Sequence, residues 1–161
     1  MNFAISTHEL LAALLVTPVL AATAWSDLRR MIIPNRLSII GLAFFAASLP
    51  LLGMQSWLMH LGIGAIAFVI CVGLFAAGWF GGGDAKILPV TMLFVPTALM
   101  PLYLYSFAAS MLIGMVSIWA VRQRFAAPDA QWVSLQKGAA FPMGISIAAA
   151  LPLTLVLAQA F

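Results

Sequence analysis

Long apolar runs alternate with short polar breaks along the whole chain. A membrane-spanning helix needs roughly 20 mostly apolar residues. Runs of that kind fall at about 8–26, 36–53, 57–80, 84–101, 102–121 and 139–160. Six such spans leave no room for a separate soluble domain. The pattern therefore predicts an all-α fold: one polytopic membrane helical bundle of six transmembrane helices, residues 1–161 forming a single domain. The breaks carry turn chemistry. Pro34-Asn35 stops one helix before the next, and Pro50 and Gly53 close the second run ahead of a short outer turn at Gln55-Ser56. Pro96 and Pro101 bracket the outer connection between the fourth and fifth runs. Gly62, Gly64, Gly73 and Gly78 are small residues that let helices approach closely. The longest polar stretch, 122–138, could hold a short interfacial helix, with Phe125 and Trp132 at the headgroup boundary.

Composition agrees: 65% of residues are hydrophobic, 7% are charged, and the mean hydropathy is +1.13. The basic residues add a direction. Arg29, Arg30, Arg36, Lys86, Arg122, Arg124 and Lys137 all lie in or beside the breaks at 27–35, 81–86 and 122–138. These three breaks share one side of a six-span bundle, and the positive-inside rule makes that side cytoplasmic. Both termini are then expected on the non-cytoplasmic side, with His8, Glu9 and His60. No Lys or Arg precedes Arg29, so the first run reads as a retained helix and not a cleaved signal sequence. The net charge of +3 reflects topology, and no nucleic-acid partner is inferred from it. The single Cys71 permits neither a disulfide framework nor a cysteine zinc site, and reads as packing.

Against this background two of the four acidic residues stand out. Asp27 ends the first run, and Asp84 follows Gly81-Gly82-Gly83 at the head of the fourth. Ionisable groups at membrane-spanning segments are functional candidates by default. Each also has a plain structural reading. Asp84 could be a helix cap after a glycine turn. Asp27 could be solvated, or paired with Arg29 or Arg30 at the surface. Taken together they suggest more. Both sit at the cytoplasmic ends of spans, at a similar depth, on different loops that folding can bring face to face.

Two carboxylates in one partly dry site cannot both ionise easily, so they hold one proton between them. One acid could deprotonate a water while the other protonates an amide carbonyl oxygen, which hydrolyses a peptide bond. The scheme uses no metal, no cofactor and no nucleophilic Ser or Cys. His60, Trp57, Tyr103 and Tyr105 read as outer-interface anchors, and the nine methionines as flexible packing.

These residues also match a family. Gly81-Gly82-Gly83-Asp84-Ala85-Lys86-Ile87-Leu88 resembles the GxGD-x-K-hydrophobic motif of the prepilin peptidases, which are membrane aspartyl proteases. Asp27-Leu28-Arg29-Arg30, leading to Ile33-Pro34-Asn35, resembles that family's first aspartate motif. Phe141-Pro142-Met143-Gly144 is similar to a late Pro-aromatic-Gly element, with Met143 in place of the aromatic. The larger bifunctional members carry paired CxxC motifs in a cytoplasmic domain that accompanies N-methylation; with only Cys71, this chain resembles the short peptidase-only form of tight-adherence (Flp-type) pili.

The resemblance implies an Asp27/Asp84 catalytic pair, with Gly81 and Gly83 shaping the turn that presents Asp84. It places Lys86, Pro142 and Gly144 at the site. Lys86 could stabilise the charged pair or snorkel to the headgroups. Pro142 could keep the last helix open near the site or simply suit a helix start. The implied activity is removal of the leader peptide from prepilin or pilin-like precursors at the cytoplasmic face of the bacterial inner membrane. The implied partners are the prepilin or pseudopilin helix, the lipid bilayer and the pilus assembly machinery. Two alternatives remain: a small proton-coupled transporter using the acids as a relay, and a non-catalytic membrane subunit of a pilus or secretion machine.

Overall fold

The structure is a computed structural model, and it describes residues 6–125, 131–136 and 138–160. The first run forms two nearly continuous helices, α1 (Thr7–Leu15) and α2 (Thr17–Arg30), with Pro18 in the first turn of α2. A proline there removes only an amide that has no helical partner. The second run is α3 (Asn35–Ala47) and a single turn, α4 (Leu49–Leu52). The third is α5 (Met54–Ala76) and the fourth is α6 (Asp84–Met92). The chain continues through a 3₁₀ turn at Thr97–Leu99 into α7 (Met100–Phe125), and ends in α8 (Met143–Ala160).

All six predicted runs are helical, and among the described residues four helical stretches are long and apolar enough to cross a bilayer: Thr7–Arg30, Met54–Ala76, Thr97–Phe125 and Met143–Ala160. The protein is a multi-pass helical bundle, and in the second and fourth runs no single helix has the length of a span. In the second, Ser48 folds its hydroxyl back onto the Phe45 carbonyl, and Pro50 prevents the helix from continuing unbroken. In the fourth, α6 covers only about 14 Å at about 1.5 Å per residue, half of a hydrocarbon core of about 30 Å. Pro89 within α6 and Pro96 beyond it shorten the segment. Its apolarity serves protein packing: Ala85 and Ile87 through Thr91 are all buried.

The bundle is organised around α6 and α8. The most extensive helix pairings are α7 with α8, α5 with α6 and α2 with α8, and α6 also packs on α3 and α8. Small residues make this closeness possible. Ser110 of α7 and Ser146 of α8 each donate their hydroxyl to the other's carbonyl, at 2.9 and 3.0 Å. Gly114 faces Phe141 and Ser146 with no room for a side chain.

Several residues read as interface anchors have other roles. Trp57 donates its indole N–H to the Phe45 carbonyl at 2.9 Å and stacks on the Phe45 ring. Tyr103 is fully buried, whereas Tyr105 is exposed as expected. His60 is buried too. Its Nδ1 lies 2.8 Å from the Leu93 carbonyl oxygen, and Nε2 lies 3.9 Å from Glu9. Within 122–138, α7 runs to Phe125, and the described remainder contains only a 3₁₀ turn at Val133–Leu135. Trp132 packs edge-on against Trp25 of α2, at 5.4 Å between ring centres. Arg122 holds this segment with donations to the Ser134 and Ala140 carbonyls. Lys137 lies outside the described residues.

Candidate active site

The chain segment after α2 sets the first half of the site. α2 ends at Met31, which adopts the left-handed conformation (φ 55°) and donates its amide to the Asp27 carbonyl. A non-glycine residue there costs about 1–2 kcal/mol, so the surrounding contacts must hold it. One such contact is the Ser26 hydroxyl, which donates to the Ile32 carbonyl at 2.7 Å. The chain then turns away through Ile33-Pro34 into α3, leaving Asp27 one turn from the end of α2 and facing inward.

Asp27 is 5% exposed. Its Oδ2 accepts the backbone N–H of Gly144, in the first turn of α8, at 2.7 Å. A charged acceptor on a helix-start amide is among the stronger kinds of hydrogen bond. Arg29 and Arg30 are exposed, and among the described residues neither forms an ion pair with Asp27. The surface-pairing alternative therefore has no support. Gly144 also admits no side chain: a Cβ there would stand 2.8–3.0 Å from three atoms of Asp27. Pro142 is buried just ahead of α8, and its carbonyl accepts the Ile145 amide, a helix-start role.

The second half is the glycine turn. Gly81, Gly82 and Gly83 have none of the positive φ angles found at Gly53, Gly78 and Gly138, so their requirement is space. A Cβ on Gly81 would sit 2.7 Å from Asp84 Oδ2, and one on Gly83 would sit 2.9 Å from Ile33 Cβ. The second contact joins the two aspartate segments. Asp84 is the first residue of α6, while Gly83 occupies the cap position, so Asp84 is not the helix cap. Its Oδ1 is buried and has no hydrogen-bond partner among the described residues.

Asp27, Met31, Ile32, Ile33, Gly81, Gly82, Gly83 and Asp84 line one cleft of about 280 Å³. The two acids thus belong to a single cavity. Lys86 does not line it; the ammonium group donates to Asn35 Oδ1 at 3.1 Å, tying α6 to the start of α3. This is neither of the roles expected for Lys86, and it forms a second link between the aspartate segments. The cleft-lining Met31, Ile32 and Ile33 were not singled out by the sequence, although Ile33 belongs to the Ile-Pro-Asn element and a residue before proline is pushed toward extended backbone.

Asp84 lies at the head of α6, outside the four long spans. Burial first, and then the nearby charge of Asp27, push its carboxyl up from 3.8 to about 6. A carboxyl raised on folding makes the native state hold a proton that the unfolded chain has already lost. Its contribution to stability therefore falls as pH rises from about 4 through about 6. Asp84→Asn should accordingly melt about 2–4 °C above the wild type at pH 7.5, with the two converging at pH 4. Thermal unfolding in detergent at both pH values checks this, and equal melting at pH 7.5 would contradict it.

The fold and the cleft define a multi-pass membrane protein that presents two acids in one pocket at an end of its bundle. The type IV leader peptidase family is matched over residues 14–119, well over half of the chain. The chain belongs to that family. It is also 36% identical over 85 residues to a prepilin leader peptidase/N-methyltransferase of Bacillus subtilis (strain 168). That alignment covers 51% of this chain and 34% of the relative, so this chain matches about a third of the relative's length. No solved structure matches at a significant level. The family match contains both aspartates but stops before α8, so the amide on Asp27 comes from outside it.

Proposed function

We propose that the protein is an aspartic endopeptidase that removes leader peptides from prepilin or pilin-like precursors at the cytoplasmic face of the bacterial inner membrane. The observation that carries this is the shared cleft. Asp27 is held by a backbone amide, while Asp84 has an unpartnered oxygen in the same pocket. In this mechanism a water between the acids loses a proton to the ionised carboxylate and attacks the scissile carbonyl carbon. The other acid donates its proton to the carbonyl oxygen. The tetrahedral intermediate then collapses, the amide nitrogen takes up a proton and the C–N bond breaks. The leader leaves with a new carboxylate, and the mature chain keeps a new amine. Gly81, Gly83 and Gly144 leave space for the carboxyl groups, and Pro142 starts the helix that supplies the amide. Lys86 joins the two halves of the site.

Residues 1–161 act as one domain in this reading, oriented by the seven basic residues with the cleft toward the cytoplasm. The reading assigns these residues the peptidase step, as in the short tight-adherence type that they resemble. The purified protein in liposomes should convert a leader-bearing precursor into a product shorter by the leader, read by mass and N-terminal sequencing. A precursor left intact by correctly inserted protein would replace this reading with that of a non-catalytic subunit of a pilus or secretion machine.

A further inference from the structure

Gly144 can offer its amide to Asp27 because α8 begins at Met143, and the first amides of a helix have no partner within it. The place of that first turn depends on the chain leading into it. Residues 139–142 form neither helix nor strand, Gly138 before them adopts φ 80°, and Pro142 has no amide to give. A lead-in of this kind does not fix its own position, and helix ends fray unless something holds them.

The hold comes from α7. The Arg122 guanidinium donates from Nη2 to the Ala140 carbonyl at 2.7 Å and from Nε to the Ser134 carbonyl at 2.8 Å. About two turns back along α7, a Cβ on Gly114 would stand 2.9 Å from Phe141 Cζ and 2.9 Å from Ser146 Oγ. One turn further back, Ser110 and Ser146 exchange their hydroxyl donations. These contacts bracket Gly144 in sequence, with Ala140 and Phe141 before it and Ser146 after it. None of Ser110, Gly114 and Arg122 lines the acidic cleft. Arg122, Ala140 and Gly144 all lie beyond the matched family residues, 14–119.

The serine pair and Gly114 seat the helical part of α8 on α7. Arg122 acts instead on the irregular chain, four residues ahead of the amide that meets Asp27. Hydrogen bonds from a charged donor are among the stronger kinds. A guanidinium also presents several N–H groups in a rigid fork, whereas an ammonium is a single point. The positive-inside rule accounts for a charge at position 122 but not for its two carbonyl partners.

We propose that Arg122 is a positioning residue for Asp27: by holding the Ala140 carbonyl it seats the first turn of α8, and with it the Gly144 amide that holds the Asp27 side chain. The proposal rests on the peptidase reading above.

Arg122→Met tests it, removing both donations while keeping an apolar stem and a good helix former. Ala140 is exposed, so its carbonyl can turn to water and the fold should survive. With a leader-bearing precursor, kcat should fall about tenfold and KM should change little, because small displacements of a reacting group are costly in rate. In protein carrying isotope-labelled glycine, the Gly144 amide proton is the resonance missing from Gly144→Ala. It should move upfield in Arg122→Met as its bond to Asp27 lengthens. Arg122→Lys keeps the charge but offers one nitrogen where arginine uses two. It should show a smaller fall in kcat, about threefold, and a smaller shift, and it carries the test if methionine weakens the fold. Arg124→Met removes an exposed charge from the same end of α7 and should leave both readouts unchanged. Wild-type kcat in Arg122→Met or Arg122→Lys would overturn the proposal. So would a loss of kcat with the Gly144 resonance unmoved, or an equal loss in Arg124→Met. Failure of the peptidase reading is distinguishable, because the wild type would then cut no precursor while the Gly144 resonance still responded to Arg122.

Discussion

Asparagine at position 84 should reduce precursor cleavage by about a hundredfold to ten-thousandfold, the range that a positioned proton-transfer group contributes. The substitution keeps the size and shape of the side chain and removes its ability to give or take a proton. It breaks no side-chain hydrogen bond at Oδ1, which has none. The expected gain in stability at neutral pH separates lost activity from lost folding. Asp27→Asn should cause a comparable loss, because its amide oxygen can still accept the Gly144 N–H while the group no longer titrates. If the two acids act as one unit, the double substitution should be no slower than either single one. The check is cleavage in membranes at matched expression; wild-type rates in either single variant would remove that acid from the mechanism.

Gly144→Ala should be the most damaging change away from the carboxyl groups themselves. The added methyl would stand 2.8 Å from Oδ2, 2.9 Å from Cβ and 3.0 Å from Cγ of Asp27. All three clashes fall on one buried side chain, so either Asp27 turns away from the amide or α8 moves off α2. Displacement of a reacting group by about 1 Å can cost about a hundredfold in rate. We expect kcat to fall about 10- to 100-fold with KM little altered, since the change acts on the acid itself. Gly73→Ala on α5 is the control: nothing lies within 4 Å of a Cβ there, and alanine suits a helix better than glycine. Steady-state kinetics on the two variants decides the matter, and unchanged kcat in Gly144→Ala would show that Asp27 does not depend on this contact.

The helical runs were legible in the sequence because the bilayer imposes a length and an apolar composition that few other environments demand. At 84–101 the rule located the run but not the length of its helix, which is only Asp84–Met92. Hydropathy reports that a segment avoids water but cannot tell a lipid surround from a protein one. The residues of α6 are buried against α3, α5 and α8, so their apolarity answers to protein packing. His60 and Tyr103 illustrate the same limit: polar and aromatic groups near a span end look alike whether they face headgroups or a buried carbonyl.

By itself the sequence singled out the candidates for chemistry: two acids in an apolar chain, each beside punctuation that ends or starts a helix. It also singled out Gly81, Gly83 and Gly144, but not the neighbours that leave no room for a Cβ there. Tertiary structure alone decided the partners. Asp27 meets an amide 117 residues away, and Lys86 meets Asn35 across 51 residues. Contacts at such separations leave no local periodicity to read, since they depend on which helices pack together and at what depth. The role of the glycines changed for the same reason. Their φ angles are ordinary at 81–83, and what forbids a side chain is the atom of another segment standing where the Cβ would be.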